Sequence, residues 1–208
     1  MKNQVFNPFL PGYEYIPDGE PHVFGDRLYL FGSHDRFGGR KFCLNDYLAY
    51  SAPLEDLSDW RCEGVIYKKT QDPSNPDGKY ELWAPDVAKG PDGRYYLYYC
   101  LADYWQIGVA VCDTPAGQYE FYGHVRDQGG KLLGNRKGDT MPFDPAVMVD
   151  DDGRIYLFFG NGPFAGMERR MKDREARCAE LAPDMLTLIS QPAISIPTLN
   201  SIDKDTFA

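Results

Sequence analysis

The segment "APDVAKGPDGRYYLYYCLAD" (84–103) contains a two-strand pattern that recurs along the chain. A Pro-x-Val step opens a short apolar run, an Asp-Gly turn follows, and the second run is made of aromatic and aliphatic residues. Two such runs around an Asp-Gly turn predict a β-hairpin. The same pattern occurs in "EPHVFGDRLYLFGSHD" (20–35) and "DPAVMVDDDGRIYLFFGNG" (144–162). The chain therefore repeats one unit, with a period of about 60 residues.

Each unit continues with two further apolar segments. The third segments are "YLAYSAPLEDL" (47–57), "IGVAVCDTPAG" (107–117) and "EARCAELAPDML" (175–186), and the fourth are "WRCEGVIY" (60–67), "YEFYGHV" (119–125) and "SQPAISI" (190–196). Four short strands joined by hairpins form the blade of a β-propeller. The sequence thus predicts an all-β chain with three blades, at about 18–67, 80–126 and 143–196. Within the third blade, 161–174 is predicted to be a long polar loop.

The number of blades is too small for a closed ring. Propellers close with about four to eight blades, and an open arc would leave strand edges unpaired. We therefore expect residues 1–208 to form a single propeller catalytic domain that is incomplete at its C-terminus, with 197–208 leading toward a fourth blade. The remaining blades would come from a C-terminal continuation or from another chain.

Composition limits the partners of the chain. The 208 residues are 43% hydrophobic and 25% charged, which is typical of a globular protein. A net charge of −9 disfavours nucleic acid and anionic membranes as partners. The five cysteines show no C-x-x-C spacing, so the sequence predicts neither a disulfide framework nor a metal site, and it shows no cofactor motif. Without an apolar leader the chain is expected to be cytoplasmic, or extracellular or periplasmic if a leader was removed.

Three aspartates stand where the inner strands of the blades begin. Asp18, Asp86 and Asp144 occupy these positions, although aspartate has a poor β-propensity and each hairpin tip has acids of its own. The first strand of a propeller blade is innermost, so these carboxylates are expected to converge on a central cavity. Converging carboxylates are typical of general acid and base chemistry, as in glycoside hydrolysis.

At these residues the chain resembles a known family. The segments "PDGEPHVFGDRLYLFGSHD" (17–35), "LWAPDV" (82–87) and "FDPAVMVDDDGRIYLFFG" (143–160) are similar to glycoside hydrolase family 43, the five-bladed propeller family of β-xylosidases, α-L-arabinofuranosidases and arabinanases. The likeness spans about residues 8–200. It implies an inverting hydrolase that cleaves arabinofuranosyl or xylopyranosyl linkages in plant-derived oligo- or polysaccharides such as xylan.

The resemblance also implies residue roles. Asp18 falls on the general base, and Asp144 falls on the carboxylate that tunes the pKa of the acid and orients the substrate. Trp83 and Asp86 fall near the sugar pocket. The family usually has Asp-Pro where this chain has Asp18-Gly19, which leaves the local backbone looser. The general-acid Glu of the family belongs to the fourth blade, and no Glu follows Glu180, so we expect weak or no hydrolysis by this chain alone.

Further candidates for sugar binding are aromatic residues and one histidine. Phe37, Tyr104 and Trp105, together with Trp83, could stack on a sugar ring. His22 could bond a sugar hydroxyl or the base, or could be an inner-strand histidine with a protein partner. His124, on a predicted outer strand, is expected at the surface.

Two other functions remain open at this stage. A propeller glycoside phosphorylase would need Arg, Lys or His around the funnel to bind phosphate. A non-catalytic carbohydrate-binding propeller would use the same acids only for hydrogen bonds to its ligand.

Overall fold

A computed structural model describes residues 7–134, 139, 141–160 and 176–196. These residues form three antiparallel sheets, and their one helical element is a short 3₁₀ turn at Lys69–Gln71. The predicted all-β fold is therefore confirmed. The predicted loop 161–174 and the tail 197–208 lie outside the described residues. No helix in the described part of the chain has the length and apolar character needed to cross a membrane.

The three sheets follow one another along the chain, as the repeat predicts. The first sheet has the order β1 (Glu20–Phe24), β2 (Arg27–Phe31), β3 (Tyr47–Pro53) and β4 (Arg61–Tyr67). The second has the order β5 (Asp86–Lys89), β6 (Tyr95–Cys100), β7 (Ile107–Cys112) and β8 (Glu120–His124). After the short β9 (Arg126–Asp127), the third contains β10 (Ala146–Val149), β11 (Ile155–Phe159), β12 (Ala176–Leu181), β13 (Thr187–Leu188) and β14 (Ala193–Ile196).

The third sheet departs from the simple four-stranded pattern at its outer edge. β13 pairs with β12 at Leu181, whereas β14, the predicted fourth strand, pairs with the other end of β12. β9 then adds to β13 as a parallel neighbour. The chain between the second and third sheets therefore contributes a strand to the third.

Turn chemistry fixes the registers of the inner hairpins. In the second sheet Gly90 and Arg94 close the turn with a backbone hydrogen bond, and Gly93 takes a φ of +86°. Asp150 and Arg154 close the third hairpin in the same way, with Gly153 at +83°. A glycine is favoured at these positions because a Cβ is disfavoured at positive φ.

The core lies between the sheets, on both faces of the middle one. In β6, Tyr96 and Tyr98 pack toward the third sheet, whereas Leu97 and Tyr99 pack toward the first. Alternate residues of a strand point to opposite faces, so a sheet buried on both sides reads as the unbroken apolar run "YYLYYC". The stacking of sheets brings the inner strands together, and β5 contacts both β1 and β10.

A buried polar network also joins the first and second sheets. The Asp72 side chain is fully buried and accepts hydrogen bonds from Tyr99 Oη at 2.7 Å and from the Ser74 N–H at 2.8 Å. His124 Nε2 lies 3.3 Å from the same carboxylate, and the His124 side chain is only 13% exposed. The expectation of a surface position for His124 was therefore wrong, because its outer strand faces the loop that carries Asp72.

Candidate active site

A pocket of about 230 Å³ opens where the inner strands begin. Its lining combines two carboxylates with three aromatic rings and two small side chains: Asp18, Phe42, Cys43, Trp83, Ala84, Phe143 and Asp144. The structure therefore brings the two aspartates that precede β1 and β10 into one cavity, although 126 positions separate them in the sequence. Both aspartates are accessible to solvent, as groups that meet a substrate must be.

The backbone is strained at three points of this lining. Five non-glycine residues in the described part of the chain have a positive φ, and three of them are Asp18 at +53°, Cys43 at +55° and Asp144 at +46°. This region is sparsely populated by residues with a Cβ and is enriched at functional sites. Asp18 and Asp144 each stand two residues before an inner strand, outside the regular alternation of strand side chains.

Two glycines bring the base candidate close to its hydrogen-bond partner. A Cβ on Gly32 would lie 2.8 Å from the carbonyl oxygen of Pro17 and 3.2 Å from Cα of Gly19, so the two backbone segments can approach only without one. The buried Ser33 thereby reaches Asp18, and its Oγ donates to Asp18 Oδ2 at 3.1 Å. Gly19, which directly follows Asp18, is part of this close approach.

The Asp144 carboxyl is partly shielded from water and lies near the charge of Asp18. The pocket walls remove part of its hydration, and the negative charge of Asp18 acts on it as well, so the pKa of Asp144 rises to about 6. Asp144 is therefore protonated in mildly acidic solution and ionised above neutrality. A group of this kind can donate a hydrogen bond to a sugar hydroxyl or raise the pKa of a neighbouring acid.

The aromatic walls are fixed from behind and open at the rim. Trp83 and Phe143 meet edge to face, with ring centroids 5.0 Å apart. The buried Tyr47 donates a hydrogen bond to the carbonyl oxygen of Trp83. Phe42, at the rim, is 78% exposed, which leaves its ring available to a ligand.

Cys43 lies beside the carboxylates but is not a nucleophile. Its side chain is buried, and this burial raises the pKa of the thiol to about 11. The thiolate is the reactive form of cysteine, so Cys43 is inert at neutral pH. Sequence reasoning missed both Phe42 and Cys43, and the only signal was the short apolar run "FCL" (42–44) between Lys41 and Asn45.

The other predicted site residues lie outside this lining. The Asp86 carboxylate is 3% exposed and contacts His22 rather than the cavity. Phe37 is 74% exposed and packs on Tyr15, with ring centroids 6.0 Å apart. Tyr104 packs against Tyr80 and His124, and Trp105 packs behind the pocket with Cys100, Met141 and Phe143.

Comparison with known proteins identifies the family. The model of glycosyl hydrolases family 43 matches residues 6–206. The chain belongs to this family. Its three sheets are blades of the family 43 propeller, which confirms the resemblance read from the sequence.

Two relatives of this chain are named xylosidase/arabinosidases. The chain is 56% identical over 198 residues to a xylosidase/arabinosidase of Thermoclostridium stercorarium, a match that covers 95% of this chain and 41% of the relative. It is 35% identical over 157 residues to xylosidase/arabinosidase 43A of Humicola insolens, covering 70% and 43%. The chain thus spans less than half the length of these two relatives.

Family 43 crystal structures superpose on the three blades. The β-xylosidase/α-arabinofuranosidase CoXyl43 from a compost microbial metagenome, in complex with xylotriose, matches with a TM-score of 0.68 and 25% identity over 93% of this chain and 62% of that one. A Xanthomonas citri family 43 enzyme in complex with xylotriose matches with a TM-score of 0.68 and 27% identity over 89% and 56%.

Proposed function

We propose that this chain forms the base-carrying part of an inverting glycosidase site. Its substrates are the arabinofuranosyl or xylopyranosyl groups of plant-derived oligo- or polysaccharides. The observation that carries the proposal is the pocket in which Asp18 and Asp144 face one cavity beside the Trp83 ring. The names of the family 43 relatives support a pentose as the sugar.

Each pocket residue has a distinct chemical role in this reaction. Asp18, held by Ser33, accepts a proton from the water that attacks the anomeric carbon. Asp144 bonds a sugar hydroxyl, donating below about pH 6 and accepting above it. Trp83 offers an apolar wall to the C–H face of the sugar ring.

Protonation of the leaving oxygen needs a further acid. Among the described residues that line the pocket, Asp18 and Asp144 are the only carboxylates. An acidic leaving group such as nitrophenol can depart as its anion without being protonated. The sugar that leaves from a natural disaccharide needs a proton from an acid. We therefore expect the 208-residue chain to act on aryl glycosides and to cleave xylobiose only slowly.

The two competing functions receive less support from the site. A phosphorylase needs cationic side chains for phosphate, and the described pocket lining contains no Lys, Arg or His. A purely sugar-binding propeller gives no reason for the strained placement of two carboxylates side by side.

Turnover of aryl pentosides tests the proposed roles. With 4-nitrophenyl β-D-xylopyranoside and α-L-arabinofuranoside, Asp18→Asn should lower kcat by about 10²–10⁴-fold, the range typical of a lost general base. The matched control is Asp26→Asn, which changes an exposed turn acid of the same sheet and should leave kcat unchanged. Equal turnover by Asp18→Asn and the unmodified chain would contradict the assignment. Rapid cleavage of xylobiose would contradict the need for a further acid.

Ligand binding tests the aromatic wall separately from catalysis. Titration of xylotriose should change the intrinsic tryptophan fluorescence of the chain, and Trp83→Ala should weaken binding and remove most of the signal change. Trp60→Ala is the matched control, because Trp60 packs on Phe9 away from the pocket lining. If Trp60→Ala removed the signal and Trp83→Ala did not, the sugar site would lie elsewhere.

A further inference from the structure

The Asp86 carboxylate occupies the junction of all three inner strands. Its Oδ1 lies 2.6 Å from Nε2 of His22 on β1 and accepts the N–H of Val87 on its own strand at 2.7 Å. Its Oδ2 accepts the N–H of Val147 on β10 at 2.6 Å. One side chain of the middle blade therefore ties the inner strands of both neighbouring blades.

These contacts leave no room for a sugar hydroxyl on Asp86. Both carboxylate oxygens have protein partners, and the residue is 3% exposed and absent from the pocket lining. His22 is held in turn, with its ring stacked on Phe24 at a centroid distance of 5.7 Å. The pair is thus a closed contact within the protein rather than part of the substrate-binding surface.

The two strands tied by Asp86 are those that begin two residues after the pocket carboxylates. His22 follows Asp18 by four residues, and Val147 follows Asp144 by three. A shift of β1 relative to β10 would therefore change the separation of Asp18 and Asp144. Charge-assisted hydrogen bonds of this length are among the stronger polar contacts in proteins, and they restrain such a shift.

We propose that Asp86 is a positioning residue, whose carboxylate sets the distance between Asp18 and Asp144 by tying β1 and β10 to β5. The importance of this distance for hydrolysis rests on the proposed function, because inverting chemistry requires room for one water between base and sugar. The tie between the strands itself does not depend on any activity.

The titration of Asp144 reports on the separation between the Asp18 and Asp144 carboxylates. The charge of Asp18 contributes to the raised pKa of Asp144, so Asp18→Asn should lower that pKa, and the size of the drop reports how close the two groups are. The drop is measured by NMR on chains carrying carboxyl-¹³C aspartate, with Asp144→Asn identifying the resonance.

Substitutions at Asp86 should change this drop. With Asp86→Ala, which removes both ties, Asp18→Asn should lower the pKa of Asp144 by much less than in the unmodified chain. Asp86→Asn can still accept from the Val147 N–H and donate to His22, but its amide group then faces the Val87 N–H, which is also a donor, so it should retain only part of the drop. Asp92→Asn, at the exposed tip of the same hairpin, is the control and should retain all of it.

A second variant keeps the test decisive if Asp86→Ala does not fold. His22→Leu removes only the tie to β1, and it should also reduce the drop in the pKa of Asp144. The proposal would be overturned if Asp18→Asn lowered the pKa of Asp144 by the same amount in every folded variant that lacks a contact of Asp86 with His22 or Val147. An equal reduction by Asp92→Asn would overturn it as well.

Kinetics then separate this proposal from the proposed function. In an active chain, His22→Leu should lower kcat for the aryl pentosides by about 10²-fold, the effect of a misplacement near 1 Å, with little change in KM. If the unmodified chain hydrolyses nothing while the ties still control the pKa of Asp144, the proposed function fails and the positioning role stands. An unchanged kcat in His22→Leu together with an unchanged drop would remove the positioning role alone.

Discussion

At the scale of single residues, the pocket has a strained backbone at its aspartates and a hydrogen bond that holds one of their carboxylates. Asp18 and Asp144 adopt a left-handed backbone that costs about 1–3 kcal/mol for a residue with a Cβ. Ser33 then fixes the Asp18 carboxylate through one hydrogen bond. In the proposed reaction, a base held in this way would already be oriented when the water and the sugar arrive, so less ordering would remain for the reaction itself.

The Ser33 contact gives the first prediction at this scale. Ser33→Ala should lower kcat for the aryl pentosides by about tenfold, because a hydrogen bond to a charged group contributes about 1.5–3 kcal/mol and only part of it acts on the reaction. KM should change little. Steady-state kinetics measure both quantities. Ser51→Ala, which alters an equally buried serine on β3 that is bonded to Arg27 and Glu63, should leave kcat intact.

The second residue-scale prediction concerns Asp144 and stability. Because the pKa of Asp144 is about 6 in the folded chain and near 4 in an unfolded one, ionising it destabilises the fold. The penalty is absent below about pH 4 and complete above about pH 7. It should amount to about 1–2 kcal/mol, less than the full shift implies, because solvent in the pocket screens the charge.

Thermal unfolding measures this penalty. Asp144→Asn should raise Tm at about pH 7.5 and should have little effect at about pH 4. Asp151→Asn, at an exposed position in a turn of the same blade, should show no such pH-dependent gain. A gain of equal size at both pH values would mean that the Asp144 charge is not the cause.

At the scale of strands and sheets, polar contacts join neighbouring blades, whereas turns join only the strands within one blade. The network around Asp72 joins the loop after β4 to Tyr99 on β6 and His124 on β8. Burial alone would raise the pKa of Asp72, but the hydrogen bonds from His124, Tyr99 and Ser74 outweigh it and hold this pKa below its usual range. The ionised carboxylate therefore stabilises the contact between the first and second sheets.

Removing Asp72 should weaken the whole chain in a pH-dependent way. Asp72→Ala should lower the free energy of unfolding by about 3–5 kcal/mol near neutral pH, because its buried partners lose their acceptor. The contribution of a carboxylate with a lowered pKa is present above its unfolded value and is lost as the pH falls through the folded one. Urea unfolding at several pH values should therefore show the gap between the two chains narrowing below about pH 4.

The control for this change is Asp152→Ala. Asp152 pairs with Arg154 at an exposed turn, so its loss should leave the urea midpoint unchanged. A loss of stability as large as that of Asp72→Ala would show that the network between the blades is not the source.

Sequence reasoning succeeded where the causes are local. The hairpins β1–β2, β5–β6 and β10–β11 follow from turn residues and apolar runs that are neighbours in the chain. The convergence of Asp18 and Asp144 also followed, because the repeat places both at strand openings. The roles of Ser33 and Asp72 were not predicted, since their partners lie in other segments and nothing in the local sequence marks them.

Asp86 shows why an apparent repeat can mislead. Asp18, Asp86 and Asp144 were grouped as equivalent, but they lie three before, one after and one before the prolines Pro21, Pro85 and Pro145. Only Asp86 lies within a strand, whereas Asp18 and Asp144 precede their strands with a left-handed backbone, so strand alternation does not set where those two side chains point. The two that precede a strand open into the pocket, whereas Asp86, inside β5, turns to its neighbours.

At the scale of the whole molecule, the negative net charge bears on which polysaccharides would bind under the proposed function. The chain carries a net charge of −9, and the described pocket lining adds two carboxylates without a basic side chain. Neutral pentose chains meet no barrier from this field, whereas a chain that carries uronic acids is repelled. Under the proposed function, this field should favour unsubstituted or arabinose-substituted stretches of a plant polysaccharide over stretches that carry uronic acids.

Salt dependence tests this selectivity. At low ionic strength, a xylo-oligosaccharide bearing glucuronic acid should bind about fivefold more weakly than its neutral counterpart, since like charges 4 Å apart in water repel by about 1 kcal/mol. The ratio should approach one near 1 M salt, where the screening length is about 3 Å. Calorimetric titration gives both affinities, and a ratio that does not respond to salt would indicate a steric cause.

The left-handed backbone at Asp18 also has a consequence for laboratory evolution. Glycine accepts this conformation freely, so Asp18→Gly relieves strain at the same time as it deletes the proton acceptor. Asp144→Asn likewise gains heat resistance while altering the chemistry. A screen that rewards only survival after heating would therefore select against function at both positions, and improved descendants of this chain must be sorted by turnover as well.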